Sequence, residues 1–294
     1  MKKKALFLVN PHSGKGLIKN NLLGIIDVLV NADYEVTVYP TQGRGDAERL
    51  TRERDSIYDL VVCSGGDGTL DEIVTGMIQS GRKTTIGYIP AGSTNDFANS
   101  LNLPTSMKKA AEVIAAGKVF ACDVGLFDED VFVYMLGHMA YILEGVKHLQ
   151  NIKSYQMKVT YKTIENNGFG ETEECEKVVE DDFIFGMITN SLSVGGFKSL
   201  TGNVMGKNVV LNDGLFEVTL VKMPKNPVEL NSILVALMSE KVDTEFMYCL
   251  KSSELLIESQ EEVAWTLDGE YGGKHTCVKL KNKQKAIDIL VPTA

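Results

Sequence analysis

The chain lacks any apolar run long enough to cross a bilayer: no segment approaches the about 18 consecutive apolar residues that mark a membrane-spanning helix, although 44% of the residues are hydrophobic. Paired cysteine motifs are missing too. Cys63, Cys122, Cys175, Cys249 and Cys277 are odd in number, widely spaced and form no C-x-x-C pair. No disulfide framework is indicated, and a reducing cytoplasm is expected. The four histidines, His12, His138, His148 and His275, lack zinc-ligand spacing. Cationic excess is absent: 30 Lys and Arg against 39 Asp and Glu leave a formal net charge of -9. That disfavours a general nucleic-acid binder, whose duplex affinity comes from basic residues neutralising phosphates. Nor is a secretory leader read at the start. Met1-Lys2-Lys3-Lys4 opens like one, but the apolar run Ala5 to Val9 stops at Asn10-Pro11, too short for the apolar region of a signal, and is taken as a first strand.

What is present is a chain of 294 residues, a length that suits about two domains of ~150 residues each. Up to residue 122, short apolar runs alternate with helical periodicity. Strands are expected at Ala5 to Val9, Tyr34 to Tyr39, Leu60 to Cys63 and Thr85 to Ile89. Helices are expected on the face Leu22, Leu23, Ile25, Ile26, Leu29 and Val30, then at Asp46 to Arg54, from near Thr69, and at Met107 to Ala116. Strict interleaving implies a parallel sheet covered on both faces, with ligands bound where strand ends meet the following loops. Residues 123–285 differ. Met157 to Tyr161, Phe183 to Thr189, Asn208 to Leu211, Leu215 to Val221, Glu254 to Ile257 and Val278 to Leu280 are short and β-rich, which predicts an antiparallel β-sandwich. Helices interrupt it at Leu136 to Leu149 and Val228 to Met238, and the acidic Gly168 to Asp182 reads as a solvated hairpin tip. The closing run, within 286–294, is read as a strand returning to the first domain.

Four glycine- and polar-rich clusters carry the chemistry. Ser64-Gly65-Gly66-Asp67-Gly68-Thr69 lies between a strand and a helix, where backbone N–H groups and the helix dipole suit a phosphate. Asp67 would repel a phosphate, so it is read either as acting through a cation such as Mg²⁺ or as a plain helix cap. Asn10 to Gly16, "NPHSGKG", offers donors, a glycine pivot and a cation, but is not a P-loop. Pro90 to Asp96, "PAGSTND", contains cap residues Ser93, Thr94 and Asn95. Asp268 to Gly273, "DGEYGG", places two acids on a turn that alone reads as a hairpin loop, with Trp265 nearby read as core. Lys147, His148, Lys153, Lys158 and Lys162 either face anionic lipid or form a solvated face.

Together, "NPHSGKG", "GGDGTLDE" (Gly65 to Glu72), "PAGSTNDFA" (Pro90 to Ala98), "NDGLFEV" (Asn212 to Val218) and "DGEYGG" resemble the bacterial diacylglycerol kinases, relatives of sphingosine and ceramide kinases, in order and spacing over nearly the whole chain. The resemblance implies a nucleotide-binding α/β domain like that of NAD kinases and diacylglycerol kinases, a β-sandwich lipid domain, and an active site between them. Carried over by position, it implies ATP at Asn10, Ser13, Gly14, Thr41, Gly66, Asp67, Gly68, Thr69, Ser93, Asn95 and Asp96. Asp67 would act catalytically through Mg²⁺, and a structural Mg²⁺ would sit on Asp213 with the carbonyls of Val210 and Leu215, although Asp213-Gly214 alone reads as a metal-free turn. It further implies Glu270 as the base for the lipid hydroxyl. A glutamate, with an ordinary pKa of about 4.3, takes that proton only as attack on phosphorus proceeds. Two features depart from the family pattern. Asp71 stands where Asn is common, and the joint between Tyr134 and Met135 is abrupt where the family carries an additional stretch, read as a missing loop or a deletion. The expected function is transfer of the γ-phosphate of ATP to diacylglycerol at the inner membrane face, by a cytoplasmic peripheral protein; a homodimer is left open. Alternatives are a phosphatidylglycerol or sphingoid-base kinase, an NAD kinase, and a non-catalytic lipid-binding protein.

Overall fold

The computed structural model describes residues 2–133, 135–139, 153–166, 172–191, 210–239 and 245–293. The chain divides into two compact units, one of Met1–Val124 with Lys285–Ala294 and one of Gly125–Gln284. It passes from one to the other within strand β5 (Lys118–Phe127) and returns within β13 (Glu270–Val291).

The first unit runs β1 (Lys3–Val9), α1 (Ile18–Asn31), β2 (Tyr34–Pro40), α2 (Asp46–Arg54), β3 (Leu60–Gly65), α3 (Asp67–Ser80), β4 (Thr85–Pro90), α4 (Asp96–Ser100) and α5 (Met107–Ala116). Its strands lie in the order β13-β4-β3-β1-β2, every pair parallel. All six residues of β3 are buried, which is why it reads as an unbroken apolar run rather than an alternating one. The expected helix face on α1 was drawn too wide. Ile18, Ile25 and Leu29 are buried, whereas Leu23 is 82% exposed and Val30 is also exposed. At 3.6 residues per turn these two point about a quarter-turn or more away from Ile25 and Leu29. Helix α3 begins at Asp67, two residues before the expected Thr69, and stops at Gly81, whose φ of 70° supplies the left-handed C-cap.

The second unit contains β6 (Asp130–Phe132), β7 (Met135–Met139), β8 (Tyr155–Asn166), β9 (Thr172–Thr189), β10 (Phe216–Lys222), α6 (Pro227–Ser239), β11 (Met247–Ser252) and β12 (Glu254–Leu267). Its strands pair antiparallel. The long strands β9 and β12 each pair with both β7 and β8. Register shifts in β12 between Glu258 and Val263 and again before Thr266 mark the irregularities by which a strand bends over a core. That core packs Phe127, Phe132, Phe183, Phe216, Leu255, Val263, Trp265 and Leu280, with Phe132 stacked on Phe216 at 5.5 Å. Residues of opposite parity on the same strands, Ile184 and Val221, join Leu230 and Ile233 of α6 in a second cluster. Strand β10 is therefore buried on both faces, and Trp265 is core as expected.

Three expectations here need correction. Met135–Met139 is strand, not the start of a helix; the Leu136 and Met139 spacing fits either period over so short a span, and the rest of that expected helix lies outside the described residues. Thr172 to Asp182 is strand paired with β8, not a hairpin tip. Val210 and Leu211 are not strand but lead into the turn before β10, and Asn208 lies outside the described residues. Tyr134, on one side of the joint where the family carries an additional stretch, lies outside the described residues.

Candidate active site

Three of the polar clusters come together at the C-terminal ends of β1, β3 and β4, as an open parallel sheet requires. Asn10 donates from Nδ2 to the Thr69 hydroxyl at 3.0 Å and accepts the His12 N–H on Oδ1 at 3.0 Å. Its own N–H donates to the Ser64 carbonyl at 2.8 Å. The Gly66 N–H donates to Ser13 Oγ at 3.2 Å. Gly14 has φ 54°, and a Cβ there would run into the Ala91 carbonyl oxygen. A Cβ on Gly92 would lie 2.7 Å from the Gly66 Cα. These two glycines are needed because backbone meets backbone. Asn95 clamps Gly92 from both sides, accepting its N–H at 2.8 Å and donating to its carbonyl at 2.9 Å. The Asn95 amide is thus engaged within its own loop. Ser93 and Gly68 are exposed, and Thr41 is buried with its N–H and hydroxyl both on the Val9 carbonyl.

Asp67 answers to a different helix from the one it begins. The N-cap of α3 is Gly66, which has no side chain to cap it. Instead the Asp67 carboxylate accepts the N–H of Asp96 at 3.0 Å and of Phe97 at 3.4 Å, the first turn of α4, with the hydroxyls of Thr94 and Tyr88 each at 3.5 Å. Burial pushes its pKa up, and the Asp96 and Phe97 N–H groups oppose that rise. Glu72 behaves alike: it accepts the N–H of Gly45 at 2.8 Å and of Ala47 at 3.2 Å, closing the start of α2. Sequence reading missed Glu72, because a cap 27 residues away leaves no local signal. Each Asp67 oxygen holds one backbone N–H and one hydroxyl at 3.5 Å; the two hydroxyls are rotors, and the lone pairs they release on turning would meet the Mg²⁺ that accompanies ATP phosphates.

The remaining predicted residues belong to the second unit. Asp268 and Gly269, with φ of 48° and 86°, form a two-residue hairpin turn of the Asp-Gly kind. Asp268 accepts the Val133 N–H at 2.6 Å, which pins the turn and leaves Glu270 exposed at the start of β13. Asp213 lies in the turn before β10 and accepts the Leu215 N–H on Oδ1 at 3.0 Å, while Lys251 Nζ donates to Oδ2 at 3.3 Å. Lys251 Nζ also lies 3.0 Å from Oε1 of Glu217. Burial pushes the Glu217 pKa up to about 7 against the pull of Lys251. Burial lowers the Lys251 pKa, but Glu217 and Asp213 outweigh it and leave it raised. The Lys251 ammonium already sets a positive charge on Asp213, so the set Asp213, Val210 and Leu215 does not fit a further cation with Lys251 in place. Among the described residues no group of three or more His, Cys, Asp or Glu is arranged to hold a metal. The lysines considered for anionic lipid are paired with acids: Lys153 with Glu261 at 2.8 Å, Lys158 with Glu258 at 3.7 Å and Lys162 with Glu254 at 2.8 Å. Lys147 and His148 lie outside the described residues.

A parallel α/β unit whose glycine loops meet at the start of a helix with a glycine N-cap has the form of sites that take phosphate groups. The model of the family described as the diacylglycerol kinase catalytic domain matches residues 4–127. A diacylglycerol kinase of Staphylococcus epidermidis is 30% identical over 314 aligned positions, covering 99% of this chain and 93% of that protein. One of Bacillus subtilis is 27% identical over 92% of this chain and 91% of that protein. The solved structure of a diacylglycerol kinase from Bacillus anthracis superposes with a TM-score of 0.76 at 25% identity, covering 99% of this chain and 97% of that one. The chain belongs to the diacylglycerol kinase family, and it is a lipid kinase that uses ATP. The alignment of 314 positions exceeds the 294 residues here, so this chain lacks residues that the staphylococcal relative has.

Proposed function

We propose that this chain phosphorylates the free hydroxyl of diacylglycerol to give phosphatidic acid, with ATP as donor and Mg²⁺ accompanying its phosphates. The observation that carries the reading is that α3 gives two of its three acids, Asp67 and Glu72, to the starts of α4 and α2, while its own N-cap in the Gly65-Gly66 turn is Gly66, which has no side chain to close it. An N-terminus of that kind takes the phosphates, with Asn10, Ser13, Gly14, Gly66, Gly68 and Thr69 around it. When bound, the cation offsets the charge between Asp67 and the phosphates. The lipid oxygen attacks the γ-phosphorus, the bond from that phosphorus to the bridging oxygen breaks, ADP leaves, and the hydroxyl proton passes to the Glu270 carboxylate. Positioning and charge stabilisation supply most of the rate, as in other phosphoryl transfers. Because the acceptor resides in a bilayer, the protein works as a peripheral protein at the inner membrane face. No helix among the described residues is long and apolar enough to cross the membrane.

The test incubates the purified chain with ATP and Mg²⁺ and, separately, micellar diacylglycerol, phosphatidylglycerol, sphingosine and ceramide, and soluble NAD, with products read by mass spectrometry. Phosphatidic acid is the expected product. Transfer to a different lipid alone moves the acceptor, and transfer to no lipid sinks the proposal.

A further inference from the structure

We infer that in this chain the ammonium of Lys251, and not a divalent cation, neutralises the acidic turn ahead of β10. The inference stands apart from which lipid accepts the phosphate. Its basis is register. Lys251 of β11 lies directly opposite Glu217 of β10 in the antiparallel ladder, the position from which cross-strand side chains meet. Phe216 and Val218 face the main core, so Glu217, of opposite parity, emerges on the other face of the strand. Its side chain is 1% exposed. Its carboxylate is enclosed, and Lys251 Nζ, 3.0 Å from Oε1, supplies the countercharge.

The turn then brings Asp213 to the same ammonium at 3.3 Å. Gly214, with φ 82°, permits the bend, and the Asn212 carbonyl accepts from Gln284 Nε2 at 3.3 Å. Lys251 thus bridges two carboxylates, one from the strand and one from the turn. A divalent cation at Asp213 would have to displace it or sit beside it. Displacement strands Glu217, and coexistence sets two positive charges together in a partly buried place. Mg²⁺ additionally demands near-octahedral oxygen ligands and sheds water reluctantly. A lysine reaching across one ladder rung needs neither.

The test uses the full chain without nucleotide. Thermal melting is measured in EDTA and across titrations of Mg²⁺ and Ca²⁺, and Mn²⁺ binding is followed by electron paramagnetic resonance. Wild type is expected to melt at the same temperature with chelator as with metal, and to leave Mn²⁺ free in solution. Lys251→Met is expected to melt lower in EDTA, to recover on adding Mg²⁺ or Mn²⁺, and to lose that recovery when combined with Asp213→Asn. Lys251→Arg is expected to stay metal-independent. Stoichiometric Mn²⁺ binding to wild type that Asp213→Asn abolishes, or a wild-type melting point that falls in EDTA and returns with Mg²⁺, overturns the inference. If Lys251→Met fails to fold, the wild-type and Asp213→Asn measurements decide alone.

Discussion

Asp67 and Glu72 of the α/β unit give their carboxylates to backbone N–H groups at the starts of α4 and α2, whereas Glu217 and Glu254 of the β unit are met by lysines, and Asp213 by a lysine and the Leu215 N–H. The difference follows from the secondary structure around them. An α/β unit has helix N-termini at its strand ends, each a fixed cluster of donors with a partial positive charge. Strands have only small net dipoles, so an acid among them that reaches no turn N–H, as Glu217 does not, takes a side-chain cation. A backbone donor is already ordered, while a lysine loses rotamer freedom when it is held. The first arrangement builds a site that stays in place when a ligand arrives. The second balances charge locally within the ladder.

Substitutions at four positions break or sharpen that contrast, from the largest effect to the smallest. Asp67→Ala should cut turnover by orders of magnitude and also lower the melting temperature, because α4 loses its acceptor. Asp67→Asn retains an oxygen for the Asp96 N–H, so kinetics and melting measured on both variants should show similar activity loss with a smaller melting change for Asn. Equal stability of Asp67→Ala and wild type would remove the capping role. Glu270→Ala should likewise lose orders of magnitude in turnover with melting unchanged, since the side chain is exposed; wild-type turnover would remove it as base.

Glu72→Ala should destabilise by about 1 kcal/mol through loss of a helix cap, a drop visible in chemical denaturation and largely insensitive to salt. Glu254→Gln should cost at most about 1 kcal/mol and the cost should vanish at high salt, because both lysine partners, Lys162 and Lys281, are exposed. Lys162 and Lys281 hold the Glu254 pKa below its ordinary value, so its contribution is present above the ordinary carboxylate range and is lost as pH falls through the depressed pKa. Denaturation of wild type and variant should therefore converge in acid. A Glu254→Gln penalty that persists in high salt, or a Glu72→Ala penalty that disappears there, would dissolve the contrast between the two units.

Much of the α/β unit was legible because its signals are local. The buried run at β3, the helical spacing of α3 and the glycine turn joining them occupy neighbouring residues, and each was read at or within two residues of its place. The β unit was read less well. The 22-residue strand β13 appeared as two separate short runs, because its middle carries exposed lysines that look like a loop. Met135–Met139 has too few residues to separate a strand period from a helical one. The site residues of the first unit were legible as motifs, but the use of each side chain was not. Asn95 looked like a cap or a ligand and instead clamps Gly92. Lys251 was not singled out at all.

The sequence by itself determined the order of strands and helices in the α/β unit, the glycines where the chain must turn sharply, and the family, since all of these are written in neighbouring residues and in the spacing of motifs. The tertiary structure decided which group each acid serves. Asp67 reaches Phe97 across 30 residues, Glu72 reaches Gly45 across 27 and Lys251 reaches Asp213 across 38. Such pairs form only after sheet order and strand register have brought distant segments within hydrogen-bond reach, and that register is set by the burial of whole strand faces rather than by the charged residues themselves.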